Sequence, residues 1–347
     1  MTPRLLRLLS LLALAPLGLA QAQTPAPTPA AAPAPCTPDG KTGFVCGLSN
    51  VEDMVPIPGG RWILGSAMAA GAGGVYVIDA KTHTAKVASL SFGPAEKPFA
   101  GCAPPDMKLL RTHGLELRTA NDDVHTLYAV NHGGRESIEV FRVDMRARSP
   151  MLTWIGCLMM PKGASGNAIA ALPGGGLALT KFMDSADDQG IVHILNGQVT
   201  GTVYIWKPAT GFKELPGTQL SGDNGLVVSR DFKWLFVTDY GNKAVWRVAL
   251  DGTGTPTRVA VDFHPDNLRW APDGKINVTG QYIELSNRNG LHGWSAVKLD
   301  PATMTIAPYV KVPGTAAFDN GTTALQVGKE LWIGTYRGDR VAYLPAP

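Results

Sequence analysis

The sequence predicts an all-β protein folded as a six-bladed β-propeller, and three observations lead there. Strand signals recur along the chain, and no long segment carries a helical period. Turn formers punctuate them: 40 Gly and 27 Pro in 347 residues, about a fifth of the chain, with no collagen period. Successive units also resemble one another at a spacing that suits four strands plus loops. Composition agrees, because 45% hydrophobic and 17% charged residues supply a large core and exclude a disordered chain. Length alone suggests about two domains, which the repeat reading reduces to one. The net charge of +3 is too small to suggest a nucleic-acid partner.

From the N-terminus, Met1–Ala22 reads as a cleavable secretory signal. Arg4 and Arg7 make its positive start, Leu8 to Ala20 its apolar stretch, and Ala20-Gln-Ala22 an A-x-A site cut after Ala22. The apolar run is short of the ~20 residues that span a membrane, so no stable anchor is expected after cleavage. A periplasmic or secreted location follows. Losing Arg4 and Arg7 leaves 29 basic against 28 acidic residues, which weakens any basic-patch reading further. Gln23–Pro35 carries five Pro in thirteen residues and reads as an extended spacer, with the boundary of the folded domain (46–347) set near Cys46. Four cysteines, Cys36, Cys46, Cys102 and Cys157, fit no zinc spacing. In an oxidising compartment they allow two disulfides, and the local pairing Cys36–Cys46 with Cys102–Cys157 is preferred among three connectivities.

Strands are expected at Arg61–Leu64, Val75–Ile78, Leu127–Val130, Ile138–Val143, Val203–Trp206, Trp234–Thr238, Ala244–Val248, Ala296–Leu299 and Leu331–Thr335. Pro-Gly-Gly, Asp-Gly and Gly-Asn turns separate them. Three units read alike. Asn224-Gly-Leu-Val-Val-Ser-Arg-Asp leads to Leu235-Phe-Val-Thr-Asp, and Asn267-Leu-Arg-Trp-Ala-Pro-Asp-Gly to Ile276-Asn-Val-Thr-Gly. Asn320-Gly-Thr-Thr-Ala-Leu leads to Leu331-Trp-Ile-Gly-Thr. The same pattern places earlier starts at Glu52, His113 and Asn167, so successive starts lie 61, 54, 57, 43 and 53 residues apart. A pair of β-sandwiches would not need each unit to begin alike.

The first strand of a propeller blade lines the central channel, so equivalent positions converge on one axis. Those positions hold Glu52, His113, Asn167, Asn224 and the pair Asp266-Asn267. Two carboxylates and three amide carbonyls make an oxygen-only shell, which suits Ca²⁺ better than zinc. The plainer alternative is that Asn and Asp cap turns between blades. His113 starts one strand and His132 ends the next, so a hairpin return brings both to one face as a base and its orienting partner. His83, His125, His193 and His292 sit in polar stretches and are expected on the surface, and His264 flanks the site. Phe182, Met183, Tyr240 and Gln281 are candidates for substrate walls. There is no Gly-x-Ser-x-Gly elbow, phosphate loop or His-Glu-x-x-His, so a serine-hydrolase reading has little support. Sequons at Asn277 and Asn320 carry little weight.

At these residues the sequence resembles the paraoxonase/arylesterase family, across about 290 residues of the folded domain. Val51-Glu-Asp-Met-Val-Pro-Ile-Pro-Gly-Gly looks like its opening segment. His113-Gly-Leu, Leu127-Tyr-Ala-Val-Asn-His132 and Ile138-Glu-Val-Phe are similar to its histidine-bearing blade. Gly166-Asn167-Ala-Ile-Ala-Ala-Leu, Asp223-Asn224-Gly-Leu-Val-Val-Ser and Pro265-Asp266-Asn267-Leu resemble its ligand segments, and Leu331-Trp-Ile-Gly-Thr its close. The resemblance implies a calcium-dependent hydrolase of lactones and aryl esters. Glu52, Asn167, Asn224, Asp266 and Asn267 would bind the catalytic calcium, and His113 and His132 would form the dyad that activates water. It also implies a second, structural calcium at Asp53, but Ala168 replaces the other carboxylate of that site. No cysteine follows Cys157, so ring closure must rely on strand pairing rather than on the family's disulfide. Gluconolactonase-like and strictosidine-synthase-like propellers are neighbours of the same architecture. A non-catalytic propeller that binds a ligand or protein through its top face is the alternative of a different class. The partner expected here is a small lactone or ester, and oligomeric state is unreadable.

Overall fold

The computed structural model describes residues 35–72, 74–288 and 290–347. The leader read at Met1–Ala22 lies outside the described residues, as does the spacer up to Ala34. The six sequence units form six antiparallel sheets, the blades of a β-propeller. Blade 1 pairs Met54–Pro56, Trp62–Ser66, Val75–Asp79 and Thr84–Val87, and blade 2 pairs Thr112–Arg118, Val124–Asn131, Ser137–Asp144 and Met151–Met159. Leu90–Phe92 adds a fifth, parallel strand to the outer edge of blade 2. Blade 3 runs from Ala164–Ala171 to Gly211–Glu214, blade 4 from Asp223–Val228 to Thr257–Ala260, and blade 5 from His264–Trp270 to Thr305–Val312.

Blade 6 closes the ring. Its inner strands are Gly321–Val327, Glu330–Thr335 and Arg340–Pro345, and its outer strand is Gly43–Cys46, from the other end of the domain. Closure therefore uses strand pairing, with Gly43 opposite Tyr343 and Cys46 opposite Arg340. Phe44 and Val45 of this strand are buried, so the folded unit begins before the boundary read at Cys46. The cysteines pair as Cys36–Cys46 and Cys102–Cys157, with Cα separations of 6.0 and 5.9 Å.

Successive side chains of a strand point to opposite faces, and each blade face meets the next blade. The apolar residues accordingly gather into six clusters among the described residues, one at each blade interface. Between blades 1 and 2, for example, Leu64 and Val77 meet Leu115, Phe141 and Trp154. Between blades 6 and 1, Trp332 and Val341 meet Ile63 and Ile78. At roughly 1.5–3 kcal/mol per fully buried large apolar side chain, these layers hold the ring. The absence of a helical period is nearly complete: the one α-helix among the described residues is the six-residue Gly190–Leu195.

Candidate metal centre and active site

The inner strands of blades 2 to 6 share an irregularity that builds the site. In each, three residues advance while the neighbouring strand advances two, which is a β-bulge. Thr112 pairs with Asn131 but Leu115 with Ala129; Gly166 with Lys181 but Ile169 with Leu179; Asp223 with Asp239 but Leu226 with Val237. Pro265 pairs with Gly280 but Leu268 with Val278, and Gly321 with Thr335 but Ala324 with Ile333. The residues released from the ladder are His113, Asn167, Asn224, Asp266-Asn267 and Thr322-Thr323. Bulges re-aim side chains and concentrate beside active sites. A buried threonine on the second strand supports some of them. Thr180 Oγ1 accepts the Ala168 N–H and donates to Asn224 O at 2.7 Å, and Thr238 Oγ1 donates to Asp266 O at 3.0 Å.

Glu52, His113, Asn167, Asn224 and Asp266 line one cavity of about 440 Å³. Asn267 is tied to the same group, its Nδ2 donating to Glu52 Oε1 at 2.5 Å. All five oxygen-bearing residues are at most 5% exposed. Each carries a buried oxygen without a hydrogen-bond partner: Glu52 Oε2, Asn167 Oδ1, Asn224 Oδ1, Asp266 Oδ1 and Asn267 Oδ1. Buried polar atoms in native proteins are nearly always paired, so these orphaned oxygens, four on the cavity and one on the neighbouring Asn267, make this a candidate cation position. Among the described residues no group of three His, Cys, Asp or Glu forms a metal cluster. What distinguishes this set is its amide oxygens.

Its electrostatics agree. Burial pushes the Glu52 carboxyl up to about 8, and the charge of Asp53 acts in the same direction. Burial likewise carries Asp266 well above the usual carboxylate range, with Glu52 adding to it. Two carboxylates held together in a dry site retain protons unless a cation joins them.

The histidines form a longer chain than a dyad. Glu136 accepts from His132 Nδ1 at 2.9 Å, His132 Nε2 lies 2.9 Å from His113 Nδ1, and His113 Nε2 lies 3.3 Å from Glu52 Oε2. Burial holds both imidazoles below their usual pKa, against the partial opposition of nearby carboxylates, so both are neutral near pH 7. A carboxylate only accepts, so His132 donates from Nδ1 and accepts at Nε2. His113 must then donate from Nδ1, which leaves its Nε2 lone pair on the cavity side. These tautomers are assigned from the hydrogen-bond network.

Of the expected wall residues, Phe182 and Tyr240 line the cavity, edge to face with ring centres 5.8 Å apart. Gln281 stands behind them, fully buried. It accepts from Tyr240 Oη and donates to Asp266 Oδ2 at 2.6 Å, which fixes that carboxylate. Met183 does not line the cavity; it packs against Gly190 at the start of the short helix. Ile191 and Leu195 of that helix join the wall together with Met68, Ile283, Tyr336 and Arg288. The i, i+4 spacing of Ile191 and Leu195 was the available signal, too short to call a helix. His264 flanks the site, its ring nitrogen 2.8 Å from Tyr240 O.

Some expectations are corrected. His125 is buried, where its Nδ1 accepts the Ala120 N–H. Asn277 and Asn320 are buried, in keeping with the little weight given to their sequons. Asp53 does not face the cavity with a free carboxylate. Both its oxygens accept from Arg269 Nη2, while Oδ1 also accepts from the Met54 N–H and Thr323 Oγ1, and Oδ2 from the Leu115 N–H.

No protein-family model and no curated protein matches the chain. Solved structures match it at the level of the fold. The chain is similar to a luciferin-regenerating enzyme at 12% identity, covering 88% of this chain and 96% of that one, with a TM-score of 0.57. It is similar to a gluconolactonase from Xanthomonas campestris at 16% identity, covering 88% and 89%, with a TM-score of 0.54. It is similar to a calcium-binding protein, regucalcin, from Agrobacterium tumefaciens at 14% identity, covering 88% and 93%, with a TM-score of 0.53. At these identities the likeness carries the fold alone.

Proposed function

We propose that the protein is a calcium-dependent hydrolase of lactones or aryl esters with an apolar body. One observation carries this reading: four residues lining a single cavity, Glu52, Asn167, Asn224 and Asp266, each hold a buried, unpartnered side-chain oxygen, and Asn267, hydrogen-bonded to Glu52, holds a fifth. Their oxygen-only character suits Ca²⁺, and five protein ligands leave room for water and a substrate oxygen in a shell of 6–8. A calcium ion held there would polarise the scissile carbonyl and stabilise the charge that develops on its oxygen.

The chain's own residues supply the rest. His113 Nε2, neutral and open to the cavity, takes a proton from the attacking water. His132 and Glu136 behind it hold the tautomer that makes this nitrogen the base. The water oxygen bonds to the carbonyl carbon, the ring or ester C–O bond breaks, and the proton on His113 passes to the departing oxygen. The structural neighbours named gluconolactonase and regucalcin support the lactone class and the calcium. The walls favour an apolar substrate over a polyhydroxy one, because Met68, Phe182, Ile191, Leu195 and Ile283 outnumber the polar wall groups Tyr240, Arg288 and Tyr336. The histidine pair supports a paraoxonase-like reaction, whereas Asp53, held by Arg269, does not add to that likeness.

The test is a hydrolysis panel of alkyl lactones, phenyl acetate and gluconolactone, with metal-loaded and EGTA-stripped protein. Apolar lactones or the aryl ester should turn over faster than gluconolactone, and chelation should stop them all. Inactivity of the loaded protein across the panel, or full activity after verified stripping, refutes the reading.

A further inference from the structure

Two levels of the central channel treat charge in opposite ways. The upper level holds Glu52 and Asp266, and among the described residues no Lys or Arg side chain is hydrogen-bonded to either. The next is reached by one step along the chain from Glu52 to Asp53, and by two from Asn267 to Arg269. There a guanidinium stands among oxygens from three blades. Arg269 Nη2 donates to both oxygens of Asp53 and, at 3.2 Å, to Leu115 O; Nε donates to Met54 O at 2.9 Å; Nη1 donates to Leu268 O at 2.9 Å. The pair is almost wholly buried, with side-chain exposures of 9% and 1%. Thr323 of blade 6 donates to the same Asp53 carboxylate, so one cation organises inner strands of blades 1, 2, 5 and 6.

This oxygen set is what a second divalent ion would use, and it is already taken. We infer that Arg269 is a built-in cation that replaces a second metal ion, so the channel takes one divalent ion at the upper level. A guanidinium satisfies several acceptors in a fixed plane and brings its own positive charge, so this level is independent of metal supply. Removing it strips the buried Asp53 carboxylate of its counter-charge beside the Leu115 and Met54 carbonyl oxygens, which together are hard-cation ligands. The inference does not depend on the hydrolase reading, since it concerns the number of ions and not the reaction.

The experiment measures calcium per chain, by elemental analysis after equilibrium dialysis, in the wild type, Arg269→Met and Arg269→Met/Asp53→Asn. Melting temperature is followed against added CaCl₂. The inference expects one ion in the wild type, a second and weaker ion in Arg269→Met whose binding restores melting temperature, and its loss in the double variant. An equal ion count in Arg269→Met and wild type, with no extra calcium stabilisation, overturns it. So does a wild type that binds two. Should Arg269→Met not fold without calcium, refolding at millimolar CaCl₂ supports the inference and refolding that ignores calcium opposes it. A wild type with no ion defeats the metal reading of the upper level, while the difference between variant and wild type still decides this one.

Discussion

At the scale of single residues, groups that share one cavity are expected to play separable roles. Asp266 and Asn224 each offer an unpartnered oxygen, so Asp266→Ala or Asn224→Ala should lose calcium and activity together. Equilibrium dialysis beside a turnover assay checks this; unchanged calcium affinity would mean that the shell is misassigned. In the proposed reaction His113 takes the proton of water, so His113→Gln should lower kcat by about 10²–10⁴-fold while calcium stays bound. Loss of the metal in that variant would instead give His113 a structural part. The raised carboxyls make calcium binding pH-dependent. Glu52, held near 8 in the metal-free protein, must release its proton to ligate, so affinity should rise by about tenfold per pH unit for each proton displaced, between about pH 5 and 8. The metal-free fold moves the other way. Between about 4.5 and 8 the folded state holds a proton that the unfolded chain releases, so stability falls as pH rises through that window. Calcium titrations at three pH values test the first trend, and melting of the stripped protein tests the second.

At the scale of elements, the bulge in the inner strands of blades 2 to 6 explains how much of the site can be read from sequence. The recurring His113-Gly-Leu and Asn224-Gly-Leu segments are visible because blades 2 and 4 solve the same problem, a polar side chain in the bulge followed by a residue small enough for the next blade to approach; in blade 6 the bulge falls on Thr322-Thr323, two residues after the Asn320 that the repeat pattern makes equivalent. A Cβ on Gly225 would strike Asp266 O and Asn267 Cα, and one on Gly114 would strike Asn167 O. Gly225→Ala should therefore cost about 1–3 kcal/mol and weaken calcium binding by displacing two ligands. Denaturant melts with a calcium titration would show it; a neutral substitution would mean that the blades are not packed to this tolerance. Glu136 and Arg269 were illegible for a physical reason. Each looks like an ordinary surface charge until strand register sets Glu136 against His132 and carries Arg269 across the channel to Asp53, 216 residues away. Met183 was misread because the last residues of its strand turn toward the short helix, which the sequence does not announce.

At the scale of the whole molecule, ring and metal are separable. Six apolar layers and the Arg269–Asp53 pair hold the blades without drawing on the upper oxygen cluster. Chelation should therefore abolish hydrolysis while far-ultraviolet circular dichroism remains that of a β protein, at a lowered melting temperature. Global unfolding on adding EGTA would place the metal among the structural elements of the fold. The repeat spacing made the six-bladed ring legible and closure by strand pairing was expected, but the closing strand Gly43–Cys46 was not, because it begins before the boundary read at Cys46. The central claim is that the buried oxygens of Glu52, Asn167, Asn224, Asp266 and Asn267 hold the calcium on which hydrolysis depends. It is tested most directly by titrating stripped protein with CaCl₂ while following turnover of an apolar lactone or aryl ester. The account expects activity to return in proportion to calcium bound and to saturate at one ion per chain. Full turnover before any calcium is bound, or one bound ion with no return of activity, would contradict it.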